Sequence, residues 1–457
     1  MSRPRVSTIT LLAAAGFLAL QPSLAGAEPV AGAKLVPAPP SPAVATPSAQ
    51  VPKAAAAAAP DAIPEPVKLS ADPRPALGPG TFVATMNAAE RYRALADAGG
   101  WRPVPNDATA RKAGERAPSI AALRTRLAAT GDLGPEHAGG DTLDEATAAA
   151  LRRFQDRHGL PETGLVGPRT LVELNVPVET RVRQLQASAA RLLGSSFPFG
   201  ERYVAVNIPA ATVEAVASGT VARRYVAVVG RTERASPTLS ARIQNVNLNP
   251  TWTVPVSLVR KDIIPHMRKD PGYLAKMRIR ILDAAGAEVP AAAIDWSTEK
   301  AVNYTLRQDP GPDNSLGAIR IDMPNKLAVY MHDTPSKKLF ARNSRLQSSG
   351  CVRVAGVAKL AAWLLEGTPG PAGPGSAWDG MALTAAIATG ARQDIKVAKH
   401  VPVIWTYLTG YASPDGTVHF REDAYGLDSP EAPRADAVPG GLTLDALVTG
   451  AIGSRRP

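Results

Sequence analysis

The chain has 457 residues, 45 % of them hydrophobic but only 5 % aromatic, with 43 prolines and a formal net charge of +11. This length exceeds one ordinary domain and predicts two or three, and the scarcity of aromatics beside abundant Pro and Ala requires that part of the chain be linker rather than core. One cysteine excludes an internal disulfide, and the positive charge suits either an anionic polymer or a solvated Arg-rich surface.

Residues 1–27 read as a signal peptide. Arg3 and Arg5 supply a basic start, an apolar run follows from Ile9 to Leu20, and Ala25-Gly26-Ala27 offers a small-residue cleavage site. The run is shorter than the ~20 residues a spanning helix needs. No cysteine stands near the cleavage site for a lipid anchor, and the two arginines are not adjacent as a twin-arginine signal needs. No later run is long enough to span a bilayer, so the expected location is the periplasm, with no stable membrane span after signal cleavage. There nucleic acid is excluded as a partner and the polyanionic cell wall becomes a candidate. A lone thiol in an oxidising compartment invites a functional explanation; a buried cysteine acting as a small hydrophobe is the alternative.

Residues 28–80 are rich in Pro and Ala, as in Pro37-Ala38-Pro39-Pro40-Ser41-Pro42. Such a stretch buries too little apolar surface to offset chain entropy and reads as a semi-extended tether. A helical scaffold segment occupies 81–116, with a helix around Ala88 to Leu95 ending at Gly99-Gly100.

Residues 117–180 form a compact helical unit. Ile120, Leu123 and Leu127 sit at helical spacing; Asp141 or Thr142 can cap a second helix carrying Leu143, Ala150, Leu151 and Phe154; a third, short helix carries Leu171 and Leu174. Ala150-Leu151-Arg152-Arg153-Phe154-Gln155, Gly159-Leu160 and Thr163 to Thr170 resemble the peptidoglycan-binding domain family, a three-helix module. A plain interdomain spacer is the other reading.

From residue 181 to 429 the pattern turns to strands: Tyr203 to Ile208, Tyr225 to Val229, Asn245 to Leu248, Ile319 to Ile321, Leu327 to His332, Val401 to Thr409 and Thr417 to Arg421. The stretch 255–308 is helical and charged at its start, with Pro265 and Pro271 as breaks. The tail 430–457 reads as loose. The expected fold is α+β: a mainly antiparallel β domain with an inserted helical lid, plus the three-helix module.

Two segments carry candidate chemistry. Alternation along Leu327-Ala328-Val329-Tyr330-Met331-His332 puts Leu327, Val329 and Met331 on an apolar face and Tyr330 and His332 on the other, with His332 at the strand end before the turn Asp333-Thr334-Pro335. In Ser348-Ser349-Gly350-Cys351-Val352-Arg353-Val354, helical spacing of Val354, Val357, Ala361 and Leu364 predicts that Cys351 stands just ahead of a helix N-terminus, where the macrodipole favours a thiolate. Gly350 lets a carbonyl approach, and N–H groups of the turn are oxyanion donors. A nucleophilic cysteine needs a base. Of six histidines, His332 alone lies on a strand ending in a turn shortly before the cysteine loop. A structural cysteine beside an unrelated surface histidine is the alternative.

His332-Asp333-Thr334-Pro335 followed by Ser348-Ser349-Gly350-Cys351-Val352-Arg353 resembles the signature of the L,D-transpeptidase (YkuD-type) catalytic domain. Asn249 to Pro255, Arg260 to Ile263, Asn314 to Gly317, Met323 to Asn325 and Pro402 to Thr409 resemble the large periplasmic subgroup. One departure is Ser349, where many members carry His. The resemblance implies an enzyme without cofactor or metal. Its substrate would be peptidoglycan stem peptides and glycan, with Cys351 as nucleophile, His332 as base and Gly350 in the catalytic turn. A tetrapeptide donor would be attacked at the carbonyl of its third residue, terminal D-Ala would leave, and a neighbouring amine would resolve the thioester to a 3→3 cross-link. Arg353 would hold a substrate carboxylate or order the loop; Tyr330 would line the cleft or simply pack; Ser348 and Ser349 would be substrate-binding; Asp333 or a backbone carbonyl would orient His332. The stretch 255–308 would cap the cleft. Hydrolysis of the same thioester, an L,D-carboxypeptidase, is the near alternative, and a non-catalytic wall-binding protein the distant one. A zinc peptidase would need a ligand cluster such as H-E-x-x-H, which is absent from the sequence.

Overall fold

The computed structural model describes residues 69–429. The signal peptide, most of the Pro/Ala-rich stretch and the tail 430–457 lie outside the described residues. Residues 69–80, expected as linker, instead lie along a strand hairpin. Arg224 donates to the carbonyls of Asp72 (3.0 Å) and Arg74 (3.2 Å), Val221 N–H donates to the Pro73 carbonyl (2.7 Å), and Leu77 is buried. The backbone groups that a tether would give to water are taken by this pairing.

Helix α1 (Thr81–Asp97) opens the folded body. The helical module follows: α2 (Pro118–Ala129), α3 (Glu145–Arg157) and α4 (Pro168–Leu174) around Ile120, Leu123, Leu127, Leu151, Phe154 and Leu174. The cap of α3 is Asp144, whose Oδ1 accepts from Thr147 N–H at 2.8 Å, rather than Asp141 or Thr142. Asp141 is spent on Arg116. Helix α5 (Val178–Leu193) then packs against α1.

The β domain comprises β1 (Arg202–Asn207), β2 (Thr212–Ala217), β3 (Thr220–Gly230) and β4 (Leu239–Leu248), then, after an insertion, β9 (Ile319–Asp322), β10 (Met331–His332), β11 (Leu346–Ser348), β12 (Val352–Val354) and β13 (Gln393–Thr406). Their order is β11-β3-β12-β10-β9-β4-β13-β1-β2, and a further β2–β3 pairing joins the sheet's ends. Pairings are antiparallel except β1–β13, β10–β12 and β3–β11. Helices α9 (Val357–Leu364) and α10 (Gly380–Ala388) add Leu360, Trp363 and Leu383 to the sheet's core of Val204, Ile243, Ile321, Met331, Val352 and Val403. A hairpin, β14 (Gly410–Ala412) with β15 (Val418–Phe420), packs on α1 and α5.

The α-helices of the insertion are confined to its first part, with short 3-10 turns at Ala291–Ala293 and Lys300–Asn303 later. The insertion contains four short strands, β5 (Trp252–Thr253), β6 (Ile279–Leu282), β7 (Glu288–Val289) and β8 (Thr305–Gln308). Helix α6 (Val256–Leu258), a π-turn at Val259–Ile263, α7 (Ile264–Lys269) and α8 (Tyr273–Lys276) cover the small antiparallel sheet these strands form, in the order β5-β8-β6-β7. Pro265 sits in the first turn of α7, where its missing N–H costs nothing, so it does not break the helix. The insertion has its own core of Val259, Ile263, Met267, Leu274, Ile281 and Leu306.

Candidate active site

Sheet register brings the candidate residues together. β10 pairs β12 in parallel with Met331 opposite Val352 and His332 opposite Arg353, and β9 places Arg320 opposite His332. Met331, Val352 and Ile321 are fully buried in the core, so by alternation His332, Arg353 and Arg320 project from the other face, and Tyr330 and Cys351, two residues earlier, share it. The Tyr330 and His332 rings lie 5.7 Å apart, and the Arg320 guanidinium sits 5.2 Å from the Tyr330 ring.

The two segments differ from expectation in one respect each. The strand before His332 is short. Asn325 accepts the Leu327 N–H at 3.0 Å and donates to the Val329 carbonyl at 2.8 Å, holding a turn through Ala328 at φ 53°, and Leu327 is exposed. Cys351 is not at a helix start. Val352–Val354 pairs as strand β12 with β10 and β3, and α9 begins only at Val357. Its β-branched valines suit a pleated buried surface. No helix dipole therefore activates the thiol.

Burial instead governs both groups. It pushes the Cys351 thiol up to about 11, against the opposing pull of the Tyr330 backbone and of Arg353 and Arg320. It drives the His332 imidazole down to about 3, helped by Arg353 and opposed by the carbonyls of Asp333 and Leu316. Nδ1 of His332 lies 2.5 Å from the Asp333 carbonyl oxygen. A carbonyl only accepts, so Nδ1 carries the ring proton and Nε2 keeps its lone pair. The Asp333 carboxylate is turned elsewhere, to Lys337 and to the Ala318 N–H at 3.2 Å. It packs so closely on Gly317 that a Cβ there would lie 2.5 Å from its oxygen. Asp333 thus fixes the neighbouring loop, while its backbone orients the ring.

The cysteine turn is tied from within and from outside. Ser348 Oγ donates to the Cys351 carbonyl at 2.6 Å and accepts the Gly350 N–H at 3.2 Å. Gly350 has φ 117°, outside the range of ordinary residues. The loop after β3 grips three successive residues. Arg231 N–H holds the Ser348 carbonyl (3.0 Å), Arg234 holds Ser349 Oγ (3.2 Å), and Ser236 Oγ holds the Gly350 carbonyl (2.7 Å). Sequence reasoning missed Arg231, Arg234, Ser236 and Arg320, because nothing in the local pattern of the 230–236 loop marks it as a neighbour of residue 351. Arg353 forms no ion pair with any described residue, and its Nε is buried without a hydrogen-bond partner.

Residues 201–371 match the family model of the "L,D-transpeptidase catalytic domain" (YkuD). The chain carries a YkuD-type L,D-transpeptidase catalytic domain. Residues 116–174 match the "Putative peptidoglycan binding domain" model, so the chain joins this catalytic domain to a peptidoglycan-binding module. A protein of Haemophilus influenzae named "Putative L,D-transpeptidase" is 33 % identical over 224 residues, 49 % of this chain and 44 % of that protein; the chain thus spans under half the length of this relative. Among solved structures, the L,D-transpeptidase of Xylanimonas cellulosilytica is 16 % identical, over 65 % of this chain and 97 % of that one, with a TM-score of 0.22. That of Stackebrandtia nassauensis is also 16 % identical, over 55 % and 86 %, with a TM-score of 0.24. Cys351, His332 and Arg353 all fall within the matched catalytic domain. Among the described residues there is no helix long and apolar enough to cross a membrane and no cluster of three or more metal-ligating side chains.

Proposed function

We propose that the protein is a peptidoglycan L,D-transpeptidase, exported to the periplasm, that forms 3→3 cross-links between stem peptides through a Cys351 thioester. The observation that carries this reading is the shared face of Tyr330, His332, Cys351 and Arg353 within a YkuD-type domain. In the resting site both the thiol and the imidazole are neutral. A standing thiolate–imidazolium pair is therefore disfavoured, and proton transfer accompanies attack. Sγ bonds the carbonyl carbon of the donor's third residue while its proton passes to His332 Nε2. With the Gly350 N–H engaged by Ser348, the Cys351 N–H is the turn's donor for the oxyanion. The tetrahedral adduct collapses, the proton leaves with the amine of D-Ala, and the thioester remains. An amine of a second stem attacks it, giving its proton to His332 and restoring the thiol.

Arg353 binds a donor carboxylate. Its unpartnered guanidinium, with Arg231 nearby, is a cationic site awaiting an anion. Tyr330 lines the donor cleft; Ser348 and Ser349 hold the turn. The helical module anchors the enzyme to the wall, although its motif residue Gln155 is consumed internally, on Thr163, Thr170, the Leu165 carbonyl and the Gly164 N–H.

Muropeptide analysis after incubation with purified tetrapeptide species tests the reading. Cross-linked dimers with released D-Ala are expected. Tripeptide products alone would make the protein an L,D-carboxypeptidase, and unchanged substrate would leave it a wall-binding protein.

A further inference from the structure

The insertion is attached to the sheet lightly. Its core is separate from that of the sheet, and its ion pairs Arg260–Glu299, Lys276–Asp270 and Arg280–Glu288 are internal, with Arg280–Asp309 at its neck. Among the described residues, one ion pair crosses from it to the active-site side. Arg234 binds both oxygens of Asp262, at 2.5 and 2.8 Å. Asp262 sits in the π-turn Val259–Ile263, between two residues of the insertion's core. The same Arg234 Nη1 that meets Asp262 donates to Ser349 Oγ at 3.2 Å, two residues before Cys351. Arg234 is itself fixed, for its backbone folds so tightly onto Gly230 that a Cβ there would lie 2.3 Å from the Arg234 carbonyl. On the other side of Cys351, Trp252 at the insertion's first strand lies beside the Tyr330 hydroxyl and opposes the rise that burial gives it. The insertion therefore touches the site on both flanks of the nucleophile.

Resting on the transpeptidase reading, we propose that Arg234 is a positioning residue that couples the docking of the 255–308 insertion, through Asp262, to the presentation of Cys351, through Ser349. A planar guanidinium suits this role because it can hold a carboxylate with two N–H groups and still reach a third acceptor. Lysine, with a compact ammonium, cannot span both partners in fixed geometry. Ser349 thereby acquires a role of its own. It accepts a hydrogen bond on the outer side of the turn, while Ser348 closes the inner side. Asp262 is held below the usual carboxylate range by the Arg234 hydrogen bonds, consistent with a pair that stays ionised.

The experiment uses the full chain and compares wild type with Arg234→Ala, Asp262→Ala, the double variant, Arg234→Lys and Ser349→Ala. Hydrogen–deuterium exchange across 255–269 reads the insertion. The rate of Cys351 acylation by a stem tetrapeptide, as kcat and KM separately, reads the site. Alkylation of Cys351 by iodoacetamide reads the thiol without any donor. Arg234→Ala and Asp262→Ala should each raise exchange and the donor KM about fivefold to tenfold, and the double variant should be no worse than either, as partners in one interaction require. Iodoacetamide alkylation should not slow, since a loosened insertion admits a small reagent. Arg234→Lys should fall between, and Ser349→Ala should lower kcat with exchange unchanged. Additive losses in the double variant, or exchange unchanged in both single variants, would overturn the coupling. Should wild type fail to use any donor peptide while exchange and alkylation still respond non-additively, the coupling stands and the transpeptidase reading falls. Ser349→Ala replaces an exposed side chain, so it remains informative if Arg234→Ala misfolds.

Discussion

Gln155 in the helical module and Arg353 in the catalytic domain are both polar residues of a recognisable motif, and they meet opposite fates. Gln155 is fully buried with its amide satisfied on four partners, organising the loop from Thr163 to Thr170. Arg353 is half-buried, makes no ion pair with a described residue and leaves Nε without an acceptor. A buried polar group that is satisfied internally stabilises; one left unsatisfied costs stability that only a ligand can return. Gln155 of the module therefore holds its fold, whereas Arg353 of the sheet, in the function proposed above, is left for substrate.

The sharpest way to break that contrast is Cys351→Ala. It should abolish both ligation and hydrolysis in the muropeptide assay while leaving the melting temperature within a degree or two of wild type. Turnover in this variant would end the nucleophile assignment. Next in size is His332→Ala. Intact-mass kinetics with a carbapenem should give a Cys351 adduct in wild type and acylation slowed by ~10²–10⁴-fold in the variant. Equal rates would leave Cys351 as nucleophile but remove His332 as its base.

On the structural side of the contrast, Gln155→Ala should cost about 2–4 kcal/mol of stability by orphaning the groups its amide satisfies, read by chemical denaturation. Carbapenem acylation at Cys351 should persist under native conditions. Loss of acylation without loss of stability would place Gln155 in the catalytic machinery instead. The smallest expected effect is on pH. Burial holds His332 and His419 near 3, far below an unfolded histidine at about 6.5. The unfolded chain thus binds more protons between these values, so stability is full above about pH 6.5 and declines as pH falls toward 3. Thermal unfolding at pH 7, 5.5 and 4.5 should show this decline, and a flat profile would mean that these rings are not held neutral by burial.

The helical module was legible because its contacts are local. Ile120, Leu123 and Leu127 recur at helical spacing and meet Leu151 and Phe154 only a few turns away in sequence. Strand identity in the β domain was partly legible, but β2 and the small sheet of the insertion were not, since Ile279 to Leu282 and Thr305 to Gln308 are short and pair across a long chain excursion. Helical spacing after Cys351 misled: Val354 belongs to both a strand pattern and a helix pattern, and pairing with β10 and β3 decided for the strand.

By itself the sequence displayed the candidate chemistry, one cysteine and a histidine at the end of an apolar strand, and the helical unit that precedes them. Only the tertiary structure decided how those residues are tuned. Parallel pairing of β10 with β12 sets Tyr330, His332, Cys351 and Arg353 on one face. Burial, not a helix dipole, sets their protonation. The loop from Arg231 to Ser236, over a hundred residues before the cysteine, grips its turn. Alternation and composition are local properties that a sequence displays directly, whereas desolvation and register arise only when distant strands close on one another.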